Sequence, residues 1–251
     1  MPELNRERCV SCGLCARVCP QAVITYEDGA PVLHPERFCL ECWHCAAICP
    51  QKAIEQEGLD LYPPVPEDEL ERLVTMRRSA RHFKREPPDR AVLDRAMELA
   101  AWAPVGRNLH TWGWTALYGA EQVERLRALV LAWGEAEPQY RGLIETARGH
   151  RDQMFCGASC ILFVHNLTDT HNRETDSAIA ATTAELLLNR QGVGTCWGGL
   201  LRRAVNACPE ARELLGLPAE RDVYAVLLAG IPEGEPYLRP AYRARPEIRW
   251  K

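Results

Sequence analysis

Eight of the twelve cysteines lie in the first 50 residues, in two copies of one motif. The copies are Cys9-x2-Cys12-x2-Cys15-x3-Cys19-Pro20 and Cys39-x2-Cys42-x2-Cys45-x3-Cys49-Pro50. Three closely spaced thiolates can bind three corners of an iron–sulfur cube, while the fourth cysteine of such a run binds the other cluster. The spacing therefore predicts two [4Fe-4S] sites: a first cluster site of Cys9, Cys12, Cys15 and Cys49, and a second cluster site of Cys39, Cys42, Cys45 and Cys19.

Other uses of these cysteines fit the spacing poorly. Zinc sites use ligand pairs separated by a longer stretch, and a disulfide framework requires an oxidising compartment. The repeat also continues beyond the cysteines, since residues 18–24 match residues 48–54. The segment resembles the bacterial-type ferredoxins over its whole length. Trp43 stands where the first copy has Gly13, which predicts a bulkier lid over the second cluster.

A second group of residues could bind an anion. Arg77-Arg78-Ser79-Ala80-Arg81 places three guanidinium groups and a hydroxyl within five residues. Guanidinium forks bind phosphate oxygens in pairs, so the segment suits the phosphate of flavin mononucleotide (FMN). Alternatively, Arg77 and Arg78 only complement the C-terminal dipole of the preceding helix. Asn108, which carries both a donor and an acceptor, suits a flavin ring edge or ribityl chain.

The glycines at 192, 194 and 198 do not form a dinucleotide-binding loop. The third glycine comes one place too late for G-x-G-x-x-G, and a helix precedes the stretch where a strand is needed. The sequence therefore argues against a Rossmann domain.

Four motifs, in order, resemble those of the nitroreductase family of FMN-dependent oxidoreductases. They are R-R-S-x-R-x-F at 77–83, A-P-x-x-x-N-x-x-x-W at 103–112, G-x-G-T-C-W at 192–197, and G-I-P-E at 230–233 followed by R-x-R-P at 243–246. The resemblance covers residues 67–251. It implies a nitroreductase-like α/β sandwich domain and a homodimer with each FMN at the subunit interface.

The resemblance also implies the residues that bind FMN. Backbone amides near the ring's N5–O4 edge would come from Cys196, Trp197, Gly198 and Gly199. Side chains would come from Arg77, Arg78, Ser79, Arg81, Asn108, His110, Arg243 and Arg245, with the last two completing the phosphate site. The flavin N5 would perform the chemistry, and no side chain is identified as catalytic with certainty.

Some residues differ from the family pattern, and the role of others can be interpreted in more than one way. Family members often have serine where Val105 stands, and Gln-Pro where His110-Thr111 stand. His110 could therefore contact the ring, donate a proton near the substrate, or be a structural histidine. Arg107 is a second candidate for a role beside the substrate. Cys196 is either redox-active or a small core residue.

Composition limits the classes of function. The formal net charge of −4 over 251 residues gives no basic field for nucleic acid. No apolar run reaches the ~18 residues of a membrane span, and the N-terminus lacks a secretory signal. We therefore expect a cytoplasmic protein with no nucleic-acid or membrane partner.

The elements that must position these residues suggest two domains in an α+β chain. A spacer with prolines 63, 64 and 66 separates a small ferredoxin-like domain at 1–60 from the FMN-binding domain at 61–251. In the second domain, periodicity predicts helices and strands in alternation. Helices are predicted at 69–78, 89–102, 121–133, 139–151, 176–190 and 209–215, and strands at 112–118, 161–165, 196–197 and 224–229.

The expected activity is electron transfer from an outside donor, through the clusters and FMN, to a small acceptor such as a nitroaromatic or a quinone. A ferredoxin or NAD(P)H could be the donor, and the sequence leaves this open. One alternative is an electron carrier or redox sensor that docks a protein partner without turning over a small substrate. Another is dehalogenation, or reduction of an activated double bond, on the same flavin.

Overall fold

The computed structural model describes residues 1–148 and 152–251, and the chain divides into two compact units. The first unit joins Met1–Arg77 to Glu235–Lys251, and the second is Arg78–Gly234. This division differs from the predicted boundary at residue 60. Leu61 is buried in the core of the first unit, and residues 235–251 (the C-terminal segment) pack there as well.

The two copies of the cysteine motif fold alike. In each copy a five-residue helix begins after a residue in the left-handed conformation, Gly13 (φ 75°) or Trp43 (φ 56°). Both helices end at the fourth cysteine of their motif, Cys19 or Cys49. Glycine adopts this conformation freely, whereas tryptophan does so at a cost of about 1 kcal/mol. The contacts of Trp43 must therefore stabilise this turn.

Short strands complete the first unit. The elements of this unit are β1 (Glu3–Leu4), α1 (Leu14–Val18), β2 (Ile24–Glu27), β3 (Ala30–Leu33), α2 (His44–Ile48), β4 (Ile54–Glu55) and α3 (Glu69–Met76). The strands β1 and β4 pair antiparallel, and β2 and β3 form a hairpin.

The second unit is built on a four-stranded sheet. The strands are β5 (Gly113–Tyr118), β6 (Cys160–Leu167), β7 (Gly194–Trp197) and β8 (Arg221–Gly230). Their order in the sheet is β5-β6-β8-β7, and each neighbouring pair is antiparallel. The helices are α4 (Arg90–Leu99), α5 (Ala120–Ala136), α6 (Arg141–Arg148), α7 (Arg173–Arg190), α8 (Gly199–Ala207) and α9 (Pro209–Leu214).

The central strands are apolar throughout because both faces of the sheet are covered. Along β8, Val226 and Leu228 belong to one core, while Leu227 and Ala229 belong to the other. This alternation is the two-residue period of a strand. The first core packs against α5, α6, α8 and α9, and the second packs against α4 and α7. The layers agree with the predicted α/β sandwich.

The predicted elements of this unit are present with shifted ends, and α8 was not predicted. The helix predicted at 139–151 is found as Arg141–Arg148, and the end of that prediction lies outside the described residues. The strand predicted at 196–197 begins two residues earlier, at Gly194.

Candidate functional site

Two cavities in the first unit are each lined by four cysteines. One is lined by Cys9, Cys12, Cys15 and Cys49, and the other by Cys19, Cys39, Cys42 and Cys45. Each set combines three cysteines of one motif copy with the fourth cysteine of the other copy. The structure thus brings together the two four-cysteine sets to which the spacing assigned the clusters.

Backbone N–H groups point at the cysteine sulfurs in the same way in both copies. Val23 N donates to Cys19 Sγ at 3.2 Å, and Ala53 N donates to Cys49 Sγ at 3.3 Å. A similar contact is made at Cys9 and Cys39. Each of these sulfurs accepts a hydrogen bond, at 3.4 Å, from the backbone N–H of the residue two positions later. Such donors stabilise thiolate sulfur, and hydrogen bonds to sulfur also tune the potential of an iron–sulfur cluster.

The electrostatics of these cavities favour a bound cation. Burial raises the pKa of the Cys15 thiol to about 11, and the neighbouring cysteines raise it further. Burial raises the pKa of Cys45 more strongly, again with a contribution from nearby cysteines. Four thiolates facing one another in an apolar cavity are therefore unstable without a compensating positive charge. Iron supplies that charge, so the donor set fits a [4Fe-4S] cluster.

In the second unit, part of the predicted anion-binding segment lies beside β7. Ala80 N donates to Thr195 O at 2.8 Å, and a β-bridge joins Ser79 to Thr195. These contacts bring the hydroxyl of Ser79 and the guanidinium of Arg81 close enough to affect the Cys196 thiol. The predicted residues Ser79, Arg81 and Cys196 thus share one site.

The groups around the Cys196 thiol lower its pKa. A hydrogen bond with the Cys156 thiol lowers the pKa of Cys196 to about 7, with further lowering by the charge of Arg81 and a hydrogen bond from Ser79. The same contact raises the pKa of Cys156. The guanidinium of Arg78 is also buried, with 7% of the residue exposed. The surroundings therefore favour an anion.

A buried carboxylate that sequence reasoning missed holds β7 in place. Glu185 on α7 is 3% exposed, and it accepts hydrogen bonds from Thr195 Oγ1 at 3.0 Å and from Trp197 Nε1 at 3.1 Å. Asn189 Nδ2 donates to Thr195 Oγ1 at 2.8 Å. A charged residue between the buried Ala184 and Leu188 was the available sequence signal, because a carboxylate on an apolar helix face needs donors.

The two glycines after Trp197 have different reasons to be glycine. A Cβ atom on Gly198 would lie 2.9 Å from Val226 Cγ1, so Gly198 lets the chain pack against β8. A Cβ atom on Gly199 would meet no atom within 4 Å. Helix α8 begins at Gly199, and the first N–H groups of a helix have no partner within it. The backbone that was predicted to approach a flavin thus combines helix N–H groups with open space.

The loop that carries Asn108 and His110 has an unusual backbone. Arg107, Asn108 and His110 all have positive φ angles, of 53°, 56° and 43°. Asp176 Oδ1 accepts from Gly106 N at 3.0 Å, which fixes the loop to the start of α7. His110 Nε2 lies at hydrogen-bond distance, 3.0 Å, from Asn108 Oδ1. Their side chains are exposed, which suits contact with a ligand.

Three predicted phosphate-binding arginines lie in the first unit. Arg77 is the C-cap of α3, where its N–H donates to Leu73 O at 3.0 Å. Arg243 Nη1 donates to Cys42 O at 3.2 Å, and Arg245 is exposed. The contact of Arg243 is thus with the second cysteine motif. The phosphate role of these three residues stays a prediction.

Comparison with known proteins identifies both parts of the chain. Residues 74–231 match the model of the nitroreductase family, and residues 8–54 match a 4Fe-4S dicluster domain. These matches confirm the predicted oxidoreductase class and the combination of a ferredoxin-type domain with a nitroreductase-like fold. Within residues 1–148 and 152–251, no helix has the length and apolar character needed to cross a membrane.

Solved structures share the fold of the larger part. A nitroreductase with bound FMN from Bacteroides fragilis is 23% identical, with a TM-score of 0.65, covering 73% of this chain and 99% of its own. An FMN-bound nitroreductase from Desulfitobacterium hafniense is 22% identical, with a TM-score of 0.61, covering 72% and 96%. Iodotyrosine deiodinase bound to FMN and 3-iodo-L-tyrosine is 21% identical, with a TM-score of 0.53, covering 71% and 97%.

Proposed function

Because the chain belongs to the nitroreductase family, we propose that it passes electrons from two [4Fe-4S] clusters through FMN to a small organic acceptor, such as a nitroaromatic or a quinone. When bound, FMN supplies an exchange between one-electron and two-electron chemistry. The observation that carries the proposal is the pair of four-cysteine cavities in a chain of this family. A chain that used only a two-electron donor would not need them.

The cysteine motifs would hold the clusters and set their environment. Cys9, Cys12, Cys15 and Cys49 would bind the first cluster, and Cys19, Cys39, Cys42 and Cys45 the second. The N–H groups that donate to Cys9, Cys19, Cys39 and Cys49 would stabilise the charge on the bound thiolates.

The second unit would hold FMN through cations and backbone N–H groups. Arg78, Ser79 and Arg81 would bind the phosphate, and the support is that Ser79 and Arg81 both lower the pKa of the neighbouring Cys196 thiol. The N–H groups at the start of α8, from Gly199 onward, would stabilise negative charge at the ring edge, since a helix N-terminus favours anions. Trp197 and the Gly198 backbone would border the ring.

The loop from Gly106 to His110 would complete the binding surface. Asn108 would orient the flavin, and His110 and Arg107 would contact the acceptor. Asp176 keeps this loop attached to α7 through the Gly106 N–H. We also propose a homodimer, and reduced ferredoxin as the donor, with NAD(P)H as the alternative.

The test is acceptor reduction under anaerobic conditions, driven by reduced ferredoxin, by a low-potential dye, or by NADPH. The C12A/C42A double variant should lose ferredoxin- and dye-driven turnover while FMN stays bound. C208A is the matched control, because Cys208 is a buried cysteine outside both motifs. Dye-driven turnover that survives the loss of both clusters would refute the internal route. NADPH-driven turnover in the double variant would identify NADPH as a direct donor to the flavin.

A second candidate reaction is reductive dehalogenation of an aromatic acceptor. It is supported by the similarity of the fold to a deiodinase with 3-iodo-L-tyrosine bound. The same assay tests it when the acceptor panel includes halogenated phenols beside nitroaromatics and quinones, and when halide release is measured. Turnover of none of these acceptors, in protein that contains both cofactors, would favour an electron carrier or redox sensor.

A further inference from the structure

The C-terminal segment is part of the fold of the first unit. Ala241 is buried in the same apolar core as Ile24, Ala47 and Ile54, and the tyrosines at 237 and 242 pack against that core. The segment carries five basic side chains and two acidic ones, whereas residues 1–60 carry five basic and nine acidic ones. The opposite charges favour the association of the two parts.

The two motif copies differ at the positions that wall the cluster sites. Gly13 and Leu14 line the first site, and their counterparts Trp43 and His44 line the second. A Cβ atom on Gly13 would lie 3.2 Å from the ring of Tyr26, so Tyr26 packs against Gly13, a residue that lines the first site. The residue that matches Tyr26 in the second copy is glutamine, at position 56. The second copy therefore has no ring at the position that packs behind Gly13 in the first copy.

Two tyrosines of the C-terminal segment contact Trp43 and His44, the residues that wall the second site. The ring of Tyr242 contacts Trp43 edge-on, with centroids 6.4 Å apart. The ring of Tyr237 contacts His44 with centroids 5.3 Å apart, and its hydroxyl lies 3.3 Å from His44 Nδ1. Trp43 and His44 are consequently only 5% and 4% exposed.

Hydrogen bonds fix the segment to α2, between these ring contacts. Arg239 Nη1 donates to Cys49 O at 2.7 Å and to Ala46 O at 3.2 Å. Leu238 N donates to Ala47 O at 3.2 Å. A guanidinium at the C-terminal end of a helix is favoured by the helix dipole. The carbonyls of Ala46 and Cys49 accept these donors in addition to backbone N–H groups of their own motif, so the C-terminal end of α2 attaches the segment.

Solvent exposure differs between the copies at two cysteine positions, and at one of them, Cys15 against Cys45, the first copy is the more buried. The structure describes all eight motif cysteines, and of these eight only Cys12 is exposed. Its counterpart Cys42 is partly buried. Tyr26, which packs behind Gly13 of the first site, is itself 49% exposed. The first site is thus open to solvent at Cys12.

We propose that residues 235–251 are a built-in cover of the second cluster site, held by Arg239, with Tyr242 and Tyr237 packed on Trp43 and His44, two residues that line the site. This inference rests on the proposed function, because it assumes clusters at both sites. The cover shields the second cluster from chelators and oxidants in solution, while the first cluster stays open at Cys12. The protection of the second cluster then depends on the C-terminal segment and not on its own motif copy.

The experiment measures iron release to a chelator in air, in two single-site backgrounds. C42S leaves the first site complete, and C12S leaves the second site complete. Y242A and R239Q should each accelerate iron release about tenfold in the C12S background and leave it unchanged in the C42S background, because each removes a contact that closes the cover. Y26A should do the reverse. R249Q is the neutral control, since exposed Arg249 pairs only with Glu247 among the described residues.

Unchanged iron release for both Y242A and R239Q in the C12S background would overturn the cover, as would equal acceleration in both backgrounds. If a background loses both clusters, the comparison is made in the otherwise unchanged protein. There Y242A should accelerate half of the iron release and leave the other half as it was, and a uniform change would contradict the proposal. A parent protein without iron would refute the proposed function itself, whereas two clusters that are indifferent to the segment refute only the cover.

Discussion

Replacing Glu185 should loosen β7, the strand that carries Cys196 and Trp197. The carboxylate uses its two oxygens on two different donors, Thr195 Oγ1 and Trp197 Nε1. The variant E185Q keeps one oxygen and turns the other position into an NH₂ group, which faces one of these donors. One buried hydrogen bond to a charged group is then lost, and a buried donor loses its partner.

The size of the effect follows from these contacts. A buried donor left without its acceptor costs about 1–3 kcal/mol, so E185Q should lower the free energy of unfolding by ~2 kcal/mol. E185A removes both acceptors and should cost about 3–5 kcal/mol. The matched control is E174Q on the same helix, because Glu174 is exposed and contributes less than ~1 kcal/mol through the helix dipole.

Urea titration followed by circular dichroism measures this ranking. A second measurement is the dissociation constant of FMN, which should rise in E185Q because β7 leads into the backbone proposed to border the flavin. T195S keeps the hydroxyl and should behave like the parent protein, whereas T195V should resemble E185Q. If E185Q and E174Q unfold at the same urea concentration, the hydrogen bonds of Glu185 do not hold β7, and this reasoning is wrong.

Two further predictions concern packing and pH. G198A should lower the free energy of unfolding by about 1–3 kcal/mol, because its Cβ would press on Val226, whereas G199A should change it by less than ~0.5 kcal/mol; equal thermal shifts for the two variants would contradict the close approach at Gly198. Burial and the charge of Arg221 lower the pKa of His165, so its contribution to stability is complete above about pH 6.5 and is lost as the pH falls through the lowered pKa. Urea titrations from pH 7 to pH 5 should show a flatter pH dependence for H165Q, and an unchanged slope would exclude His165 as its source.

The grouping of the eight motif cysteines into two sets of four could be predicted because the information is local. Three cysteines within seven residues can reach one small cavity whatever the rest of the chain does. The fourth cysteine is carried past the site by the intervening helix, which fixes the exchange between the copies. The structure has that arrangement, with α1 and α2 each ending at the fourth cysteine of their own motif.

The polar contacts around β7 could not be predicted in the same way. Glu185 and Trp197 are twelve positions apart, and no motif relates them. Helix α8 could have been predicted from the sequence, because Leu201, Ala204 and Val205 have the spacing of one face of a helix. No element was predicted there, and in the structure these three residues are buried in the first core of the second unit.

The packing of the C-terminal segment on the first unit could not be predicted from the segment itself, and its one signal in the sequence was an unfavourable residue elsewhere in the chain. Its prolines and lack of period predict no element, and its arginines had suggested a phosphate site. Trp43 was the better signal, because a bulky residue in a left-handed turn needs packing to hold it there. Tyr26 packs against that position in the first copy, and Gln56 stands in its place in the second. The ring that packs on Trp43 comes from another part of the chain, at Tyr242.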